Sequence, residues 1–275
     1  MENKYNNIVL SGGGIKGIAF IGALFALNEL NILENIKCFA GSSIGSLIAS
    51  LYIIGYKPVE IFDFIKQTDV SKFKNININN LNTFGLDNGD YIEETINNLI
   101  VQKSHKVNIS LKELFELTKK KLIITTVNVN TMELLYLSHE TFPDMPLCKA
   151  IRMSTALPLI YTPILHDNHM FIDGGCIDNY PISVFQNDLN NTLGLCLISS
   201  KNNVDKILNL ESYVIRVIHC LLHGISYNSF KGYEDYTIKL NIDNVSVIDF
   251  NISNTVKDDL FLVGYKAIYD RFNNL

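Results

Sequence analysis

Residues 7–30 read NIVLSGGGIKGIAFIGALFALNEL, a short apolar run closed by glycines and followed by apolar residues at helical spacing. The run predicts a buried strand, and the glycines predict a tight turn into a helix over residues 18–30. Residues 38–55 repeat this arrangement as CFAGSSIGSLIASLYIIG. Two strand–turn–helix units in succession require parallel strands, so the sequence predicts an α/β fold with a mainly parallel central sheet between two helical layers.

The remaining chain alternates between helical and strand patterns without an internal repeat. Asparagines interleaved with Ile and Leu predict an irregular excursion over residues 68–90, whose segment 70–86 is a candidate lid or interfacial patch. Further helices are expected at 91–101, 111–119, 146–154, 204–230 and 257–272, and strands at 122–129, 132–138, 169–173, 192–199, 236–241 and 246–251. We therefore expect one three-layer domain whose body spans residues 5–200, with an α/β extension over 201–275 packed on it.

Composition excludes several classes of protein. The 275 residues are 47% hydrophobic and 19% charged, which indicates a folded globule. Lys plus Arg total 23 against 28 Asp plus Glu, a net charge of −5 that argues against nucleic acid as a partner. The five cysteines form no CxxC pair, so neither zinc nor a disulfide framework is indicated. We see no signal-peptide pattern and no uninterrupted apolar span of transmembrane length.

The first candidate site is the glycine turn Gly12-Gly13-Gly14-Ile15-Lys16-Gly17, which satisfies GxGxxG between a strand and a helix. One interpretation is a nucleotide-binding module. A dinucleotide site, however, needs an acidic residue at the end of the second strand, where this chain has Ala40-Gly41-Ser42-Ser43. The other interpretation is an anion-binding turn, whose backbone N–H groups would hold a phosphate or the oxyanion of an acyl-transfer intermediate.

The second candidate site is Gly41-Ser42-Ser43-Ile44-Gly45, a GxSxG pentapeptide between a strand and a helix. In this context the flanking Gly41 and Gly45 allow a sharp reversal that exposes a nucleophilic serine. The helix that follows directs its N-terminal N–H dipoles toward developing negative charge. Ser43 is therefore the candidate nucleophile.

The third candidate site is Asp173-Gly174-Gly175 at the end of a predicted strand. Such an Asp is often only a turn residue, but a serine nucleophile needs a base. No histidine lies in a recognisable loop after a late strand. His219 and His223 are four residues apart on a predicted helix, where they could bind metal, serve a histidine-dependent hydrolase or simply share a face. A Ser43–Asp173 dyad is an open alternative.

These three motifs, in this order and at nearly these intervals, resemble the patatin-like phospholipases. The segment Ala150-Ile151-Arg152-Met153-Ser154-Thr155-Ala156-Leu157-Pro158 is similar to the family's helix-to-proline segment, and the resemblance covers residues 5–200. It implies a lipid acyl hydrolase in which Ser43 attacks the ester carbonyl and Asp173 is the base. It also implies an oxyanion hole formed by Gly12, Gly13 and Gly14, and it requires no metal or cofactor.

The resemblance leaves several points open. Lys16 could hold a substrate phosphate, assist the oxyanion or be a solvated lysine at a helix start. The implied partner is a phospholipid or other acyl lipid at a membrane surface, with no oligomeric state indicated. The location would be cytoplasmic or peripheral to a membrane, with export as an effector also open. The rival interpretations are the nucleotide-binding module and a catalytically silent protein of the same fold that serves in interactions.

Overall fold

The computed structural model describes residues 4–199, 206–243 and 245–273. One sheet carries the fold, with strand order β10-β9-β1-β2-β4-β8-β7, and β5 pairs with β4. The strands are β1 (Asn7–Leu10), β2 (Cys38–Gly41), β4 (Lys121–Asn128), β5 (Glu133–Leu137), β7 (Ile164–His166), β8 (His169–Asp173), β9 (Thr192–Ile198) and β10 (Thr237–Asn241). The short strands β3 (Gly85–Asp87) and β6 (Leu159–Tyr161) form a separate parallel pair.

Five strands, from β10 through β9, β1 and β2 to β4, run parallel, whereas β5, β7 and β8 enter as antiparallel partners. The predicted α/β class with a mainly parallel sheet is confirmed. β1 is central, because it pairs with β2 on one side and β9 on the other and all four of its residues are buried. The carboxyl ends of β1 and β2 lie side by side, so the two glycine-containing turns that follow them are neighbours.

Eight α-helices occupy the described residues. They are α1 (Ile18–Glu29), α2 (Ile44–Ile53), α3 (Pro58–Gln67), α4 (Asp90–Ser104), α5 (Leu111–Thr118), α6 (Leu147–Thr155), α7 (Leu210–Ser229) and α8 (Asn254–Asn273). Among the described residues, no helix combines the length and apolar character needed to cross a membrane.

Helix α1 is apolar on nearly every side, and it is buried in the main core, where it packs against α8 and α3. Gly22 and Gly264 allow this close packing, since a Cβ at Gly22 would lie 1.9 Å from the Phe261 carbonyl oxygen and one at Gly264 1.7 Å from that of Ala19. The main core includes Ile8, Leu10 and Phe39 on one face of the sheet, whereas Val9 and Ala40 point into a smaller cluster on the opposite face. The alternation along β1 therefore serves two apolar layers.

The C-terminal part of the chain joins the same sheet, because β10 pairs with β9 and α8 packs on α1. The division into residues 5–200 and 201–275 stays a prediction. The strand predicted over residues 246–251 is wrong, since this segment is a turn with irregular flanks. The apolar residues of this segment line a cavity instead of joining the sheet. The predicted irregular excursion over 68–90 contains 3-10 turns and the short β3.

Candidate active site

Ser43 occupies the sharp turn between β2 and α2. Its backbone has φ 51° and ψ −123°, a conformation that residues other than glycine rarely adopt. Gly45 permits this turn, because a Cβ there would lie 2.4 Å from the carbonyl oxygen of Leu10 and 2.6 Å from that of Ser11. The turn that follows β2 thus presses against the end of β1, and the side chain of Ser43 faces a cavity.

The backbone amide of Ser43 has a partner on a distant helix. It donates to the hydroxyl oxygen of Ser154 on α6 over 2.9 Å. Ser154 has no exposed surface. The contact therefore fixes the strained turn from its second side, and the sequence motifs around Ser43 gave no indication of it.

The structure brings Asp173 to Ser43. Asp173 ends β8, is only 3% exposed and accepts hydrogen bonds from the Ser43 side chain and, over 2.7 Å, from the amide of Gly175. Burial raises the pKa of Asp173 to about 6, and the two hydrogen bonds oppose the rise. The carboxyl group is thus a stronger base than an exposed aspartate, and it is ionised at neutral pH.

The glycine turn after β1 lies beside this pair. The amide of Gly12 donates to the carbonyl oxygen of Asn179 over 2.9 Å, and the amide of Ile15 donates to that of Val247 over 3.1 Å. Gly13 and Gly14 lie between them and line the cavity. Gly14 has φ +56°, and a Cβ there would lie 1.9 Å from the Val247 oxygen, so glycine is required.

Lys16 is buried, with 5% of its surface exposed. The interpretation of Lys16 as a solvated lysine at a helix start is therefore wrong. Its ammonium group donates to the hydroxyl of Ser199, and both residues line the cavity. Burial lowers the pKa of Lys16, and the charge of Asp243 opposes this change. The remaining motif glycines adjoin the site in close-packed positions: Gly17, Gly41, Gly174 and Gly175.

The cavity has a volume of about 640 Å³ and a lining dominated by aliphatic and aromatic side chains. Ser43 and Asp173 line it together with the glycine turn. It continues along α2 past Leu47 and Leu51 to side chains of α3 and α4, including Ile61 and Leu99. The segment 70–86, expected as a lid, contributes the half-buried Phe73 to the lining, whereas Phe84 is exposed.

Helix α6, which carries Ser154, is anchored by a buried cation. Arg152 has no exposed surface, and its Nε lies 3.6 Å from a carboxylate oxygen of Glu93. Its guanidinium carbon lies 5.8 Å from the ring centroid of Tyr161. A Cβ at Gly89 would lie 2.0 Å from the guanidinium, so the start of α4 packs directly on it. The network connects α4, β6 and α6 behind the site.

Histidines contribute little to the described site. Of the four whose side chains the structure describes, namely His105, His139, His166 and His169, none lines the cavity. The side chains of His219 and His223 lie outside the described part of the chain. Within the described residues there is no cluster of three or more His, Cys, Asp and Glu that could hold a metal ion. Cys176 is half-buried, and burial raises its pKa to about 12, which is consistent with a packing role.

The fold and the site define an α/β protein with a serine at a strand–helix elbow, hydrogen-bonded to a buried carboxylate beside a glycine turn. The family model "Patatin-like phospholipase" matches residues 8–185. The chain therefore belongs to the patatin-like phospholipase family, as the sequence motifs predicted.

Two viral relatives and one solved structure illustrate the similarity. The uncharacterized protein R571 of Acanthamoeba polyphaga mimivirus is 32% identical over 97% of this chain and 93% of its own. The probable lipid hydrolase 463L of Invertebrate iridescent virus 6 is 35% identical over 66% of this chain and 63% of its own. VipD from Legionella pneumophila has the same fold with a TM-score of 0.73 at 16% identity, over 98% of this chain and 67% of that one.

Proposed function

We propose that this protein is a serine-dependent lipid acyl hydrolase of the phospholipase A or lysophospholipase type. The observation that carries the proposal is the hydrogen bond from the Ser43 hydroxyl to the buried carboxylate of Asp173, at the wall of an apolar cavity. Membership of the patatin-like phospholipase family supports it, as does the similarity to the probable lipid hydrolase of the iridescent virus.

The two residues divide the chemistry between them. Asp173 takes the proton from the Ser43 hydroxyl as its oxygen attacks the ester carbonyl, which gives a tetrahedral oxyanion. Collapse of this intermediate expels the alcohol, which receives the proton from Asp173 and leaves an acyl group on Ser43. Water, deprotonated by Asp173, then attacks the acyl-serine, and Asp173 returns the proton to the Ser43 oxygen as the fatty acid is released.

The backbone amides of Gly13 and Gly14 are the donors proposed for the oxyanion. They lie on the cavity wall between two amides that already donate to carbonyl oxygens, those of Gly12 and Ile15. Because the Gly12 amide already donates to a carbonyl oxygen, Gly12 supports the turn instead of the oxyanion. Of the three glycines predicted for the oxyanion hole, we therefore propose two as donors. Fixed donors at this position stabilise charge that develops only in the transition state.

The apolar part of the cavity is the proposed site for the acyl chain. Aliphatic side chains from α2, α3 and α4 line it, so transfer of an acyl chain from water into it is favourable. Lys16 is part of the glycine turn and lines the cavity, and its cation is proposed to assist the anionic intermediate or to hold a lipid phosphate. The site therefore favours a substrate whose apolar chain fits the cavity while its ester group lies next to Ser43.

The test is release of fatty acid from phospholipid, and hydrolysis of short-chain nitrophenyl esters, by the purified chain in the presence of EDTA. We expect Ser43→Ala and Asp173→Asn each to abolish turnover. A variant carrying both His219→Ala and His223→Ala should retain it. Activity that persists in Ser43→Ala, or that disappears with EDTA or with the histidine changes, contradicts the mechanism.

A further inference from the structure

Helix α7 presents a row of apolar side chains on its outer surface. Tyr213, Val217 and Leu221 are spaced four residues apart and therefore share one face of the helix. Their exposed fractions are 55%, 39% and 62%, and Leu208, shortly before the helix, is 82% exposed. Large apolar side chains grouped in this way on the surface are typical of an interaction site.

The neighbouring row of side chains on the same helix lines the cavity. Arg216 and Cys220 line the cavity together with Ser43 and Asp173. Cys220 is also exposed to solvent, so the cavity reaches the surface beside α7. The helix packs in addition against the turn Gly174–Cys176, which directly follows Asp173. The exposed row therefore borders the opening through which the site is reached.

We infer that Leu208 and the exposed row of α7, called here the α7 surface, insert into the interface of a lipid bilayer and hold the cavity opening against it. The inference rests on the proposed function, because the opening must receive an acyl chain from its surroundings. A bilayer supplies that chain at the surface where α7 is inserted. A protein seated on the same row would cover the opening.

The chemistry of the α7 surface specifies the kind of membrane contact. The surface is built of Leu, Val and Tyr, and the whole chain carries a net charge of −5. Attraction of the whole molecule to anionic lipid does not account for such a contact, whereas burial of apolar side chains does. Binding to a zwitterionic bilayer should therefore persist at high salt, which screens attraction between charges.

The experiment is flotation of the full chain with phosphatidylcholine vesicles at low and high salt. Every protein used for flotation carries Ser43→Ala, so the vesicles stay intact. The test variant adds Leu208→Ser and Leu221→Ser. The control adds Met132→Ser and Leu165→Ser, which remove apolar side chains with the same exposed fractions, 82% and 62%, from other parts of the surface. The same two pairs of changes are also made with Ser43 intact, to measure hydrolysis of a soluble short-chain ester.

We expect the parent and the control to float equally at both salt concentrations, and the test variant to bind about tenfold more weakly or worse. With Ser43 intact, the test pair should hydrolyse the soluble ester at the parent rate, which shows that the fold and dyad are preserved. Equal binding by test and control variants overturns the inference, as does a parent chain that fails to float or floats only at low salt. A dimer of the parent that dissociates in the test variant also overturns it, because a second copy then occupies the surface.

Flotation needs no turnover, so the two proposals fail separately. Loss of flotation in the test variant, with ester hydrolysis absent from every form that carries Ser43, would keep the membrane surface and reject the hydrolase. Dyad-dependent hydrolysis without any flotation would keep the hydrolase and reject the membrane surface.

Discussion

The amide of Ser43 donates to the hydroxyl oxygen of Ser154 over 2.9 Å, which joins the elbow after β2 to helix α6, 111 residues further along the chain. The elbow is strained, with Ser43 at φ 51°. A strained turn persists only where its surroundings fix it, and this hydrogen bond is one of the contacts that do so. Ser154 is therefore a positioning residue for the proposed nucleophile.

Ser154→Ala should lower kcat for a soluble ester about tenfold with little change in KM. The substitution leaves the Ser43 amide without its partner and lets the nucleophile leave its position relative to Asp173. The control is Ser50→Ala, because Ser50 is equally buried but donates only within its own helix, to Ser46 over 2.6 Å. If both variants lose the same kcat, or if Ser154→Ala loses none, the positioning role is contradicted.

The pH dependence of hydrolysis should follow the ionisation of Asp173. Burial raises the pKa of this group to about 6, and only the carboxylate can accept the proton of Ser43. We expect kcat/KM for a soluble ester to be flat at neutral pH and to fall about tenfold per pH unit below pH 6. Circular dichroism at each pH serves as the control for folding. A profile that stays flat down to about pH 4 would contradict the assignment of the base.

The same shift predicts a stability effect of Asp173→Asn. A carboxyl group with a pKa of 3.8 when unfolded and about 6 when folded binds protons more tightly in the folded state. The folded chain therefore loses stability as pH rises through this window, and the loss is complete above it. The amide oxygen of the substituted side chain can still accept from Gly175, and the amide carries no charge. The free energy of unfolding should therefore rise by about 3 kcal/mol at neutral pH, because one pKa unit corresponds to about 1.4 kcal/mol.

Urea unfolding of the Asp173→Asn variant and of the parent chain at two pH values checks this expectation. The difference between the two proteins should be present at pH 7 and absent below about pH 3, where Asp173 is protonated in both the folded and the unfolded state. A difference of the same size at both pH values would mean that the substitution acts through packing instead of charge.

The sequence predicted the parts of the site that depend on local geometry. The glycines around Ser43 and the strand before Asp173 are visible in a short window, because a strand–turn–helix unit is specified by neighbouring residues. Ser154 is different. The segment around Ser154 resembles the family in sequence. The role of the Ser154 hydroxyl, however, depends on a contact that exists only after α6 packs beside α2.

Segment 246–251 shows why one strand was wrongly predicted. Val247, Ile248 and Phe250 give it the apolar character of a strand, yet they face the cavity. The carbonyl oxygen of Val247 accepts a hydrogen bond from the Ile15 amide, so the backbone of this segment caps the glycine turn. An apolar pattern records which side chains are shielded from water, and a cavity wall shields them as well as a sheet does.

The close approach at Gly45 predicts that Gly45→Ala is costly. Its new methyl group would overlap the carbonyl oxygens of Leu10 and Ser11, so β1 or the elbow must move. We expect a loss of about 2 kcal/mol in the free energy of unfolding and a fall in kcat. Gly224→Ala is the matched control in α7, where a Cβ meets nothing within 4 Å, and it should stabilise the helix by up to about 1 kcal/mol. Equal effects of the two substitutions would contradict the close approach.

The cavity along α2 predicts that acyl-chain length is selected by Leu51. About two helical turns, or roughly 12 Å, separate this residue from Ser43, and its side chain lines the cavity. Leu51→Phe would fill space there without touching the dyad. Turnover of a palmitoyl ester should therefore fall about tenfold relative to a butyryl ester, whose chain ends before Leu51. The two esters are compared on the same protein, so a general loss of folding would lower both rates, and an unchanged ratio would place the acyl chain elsewhere.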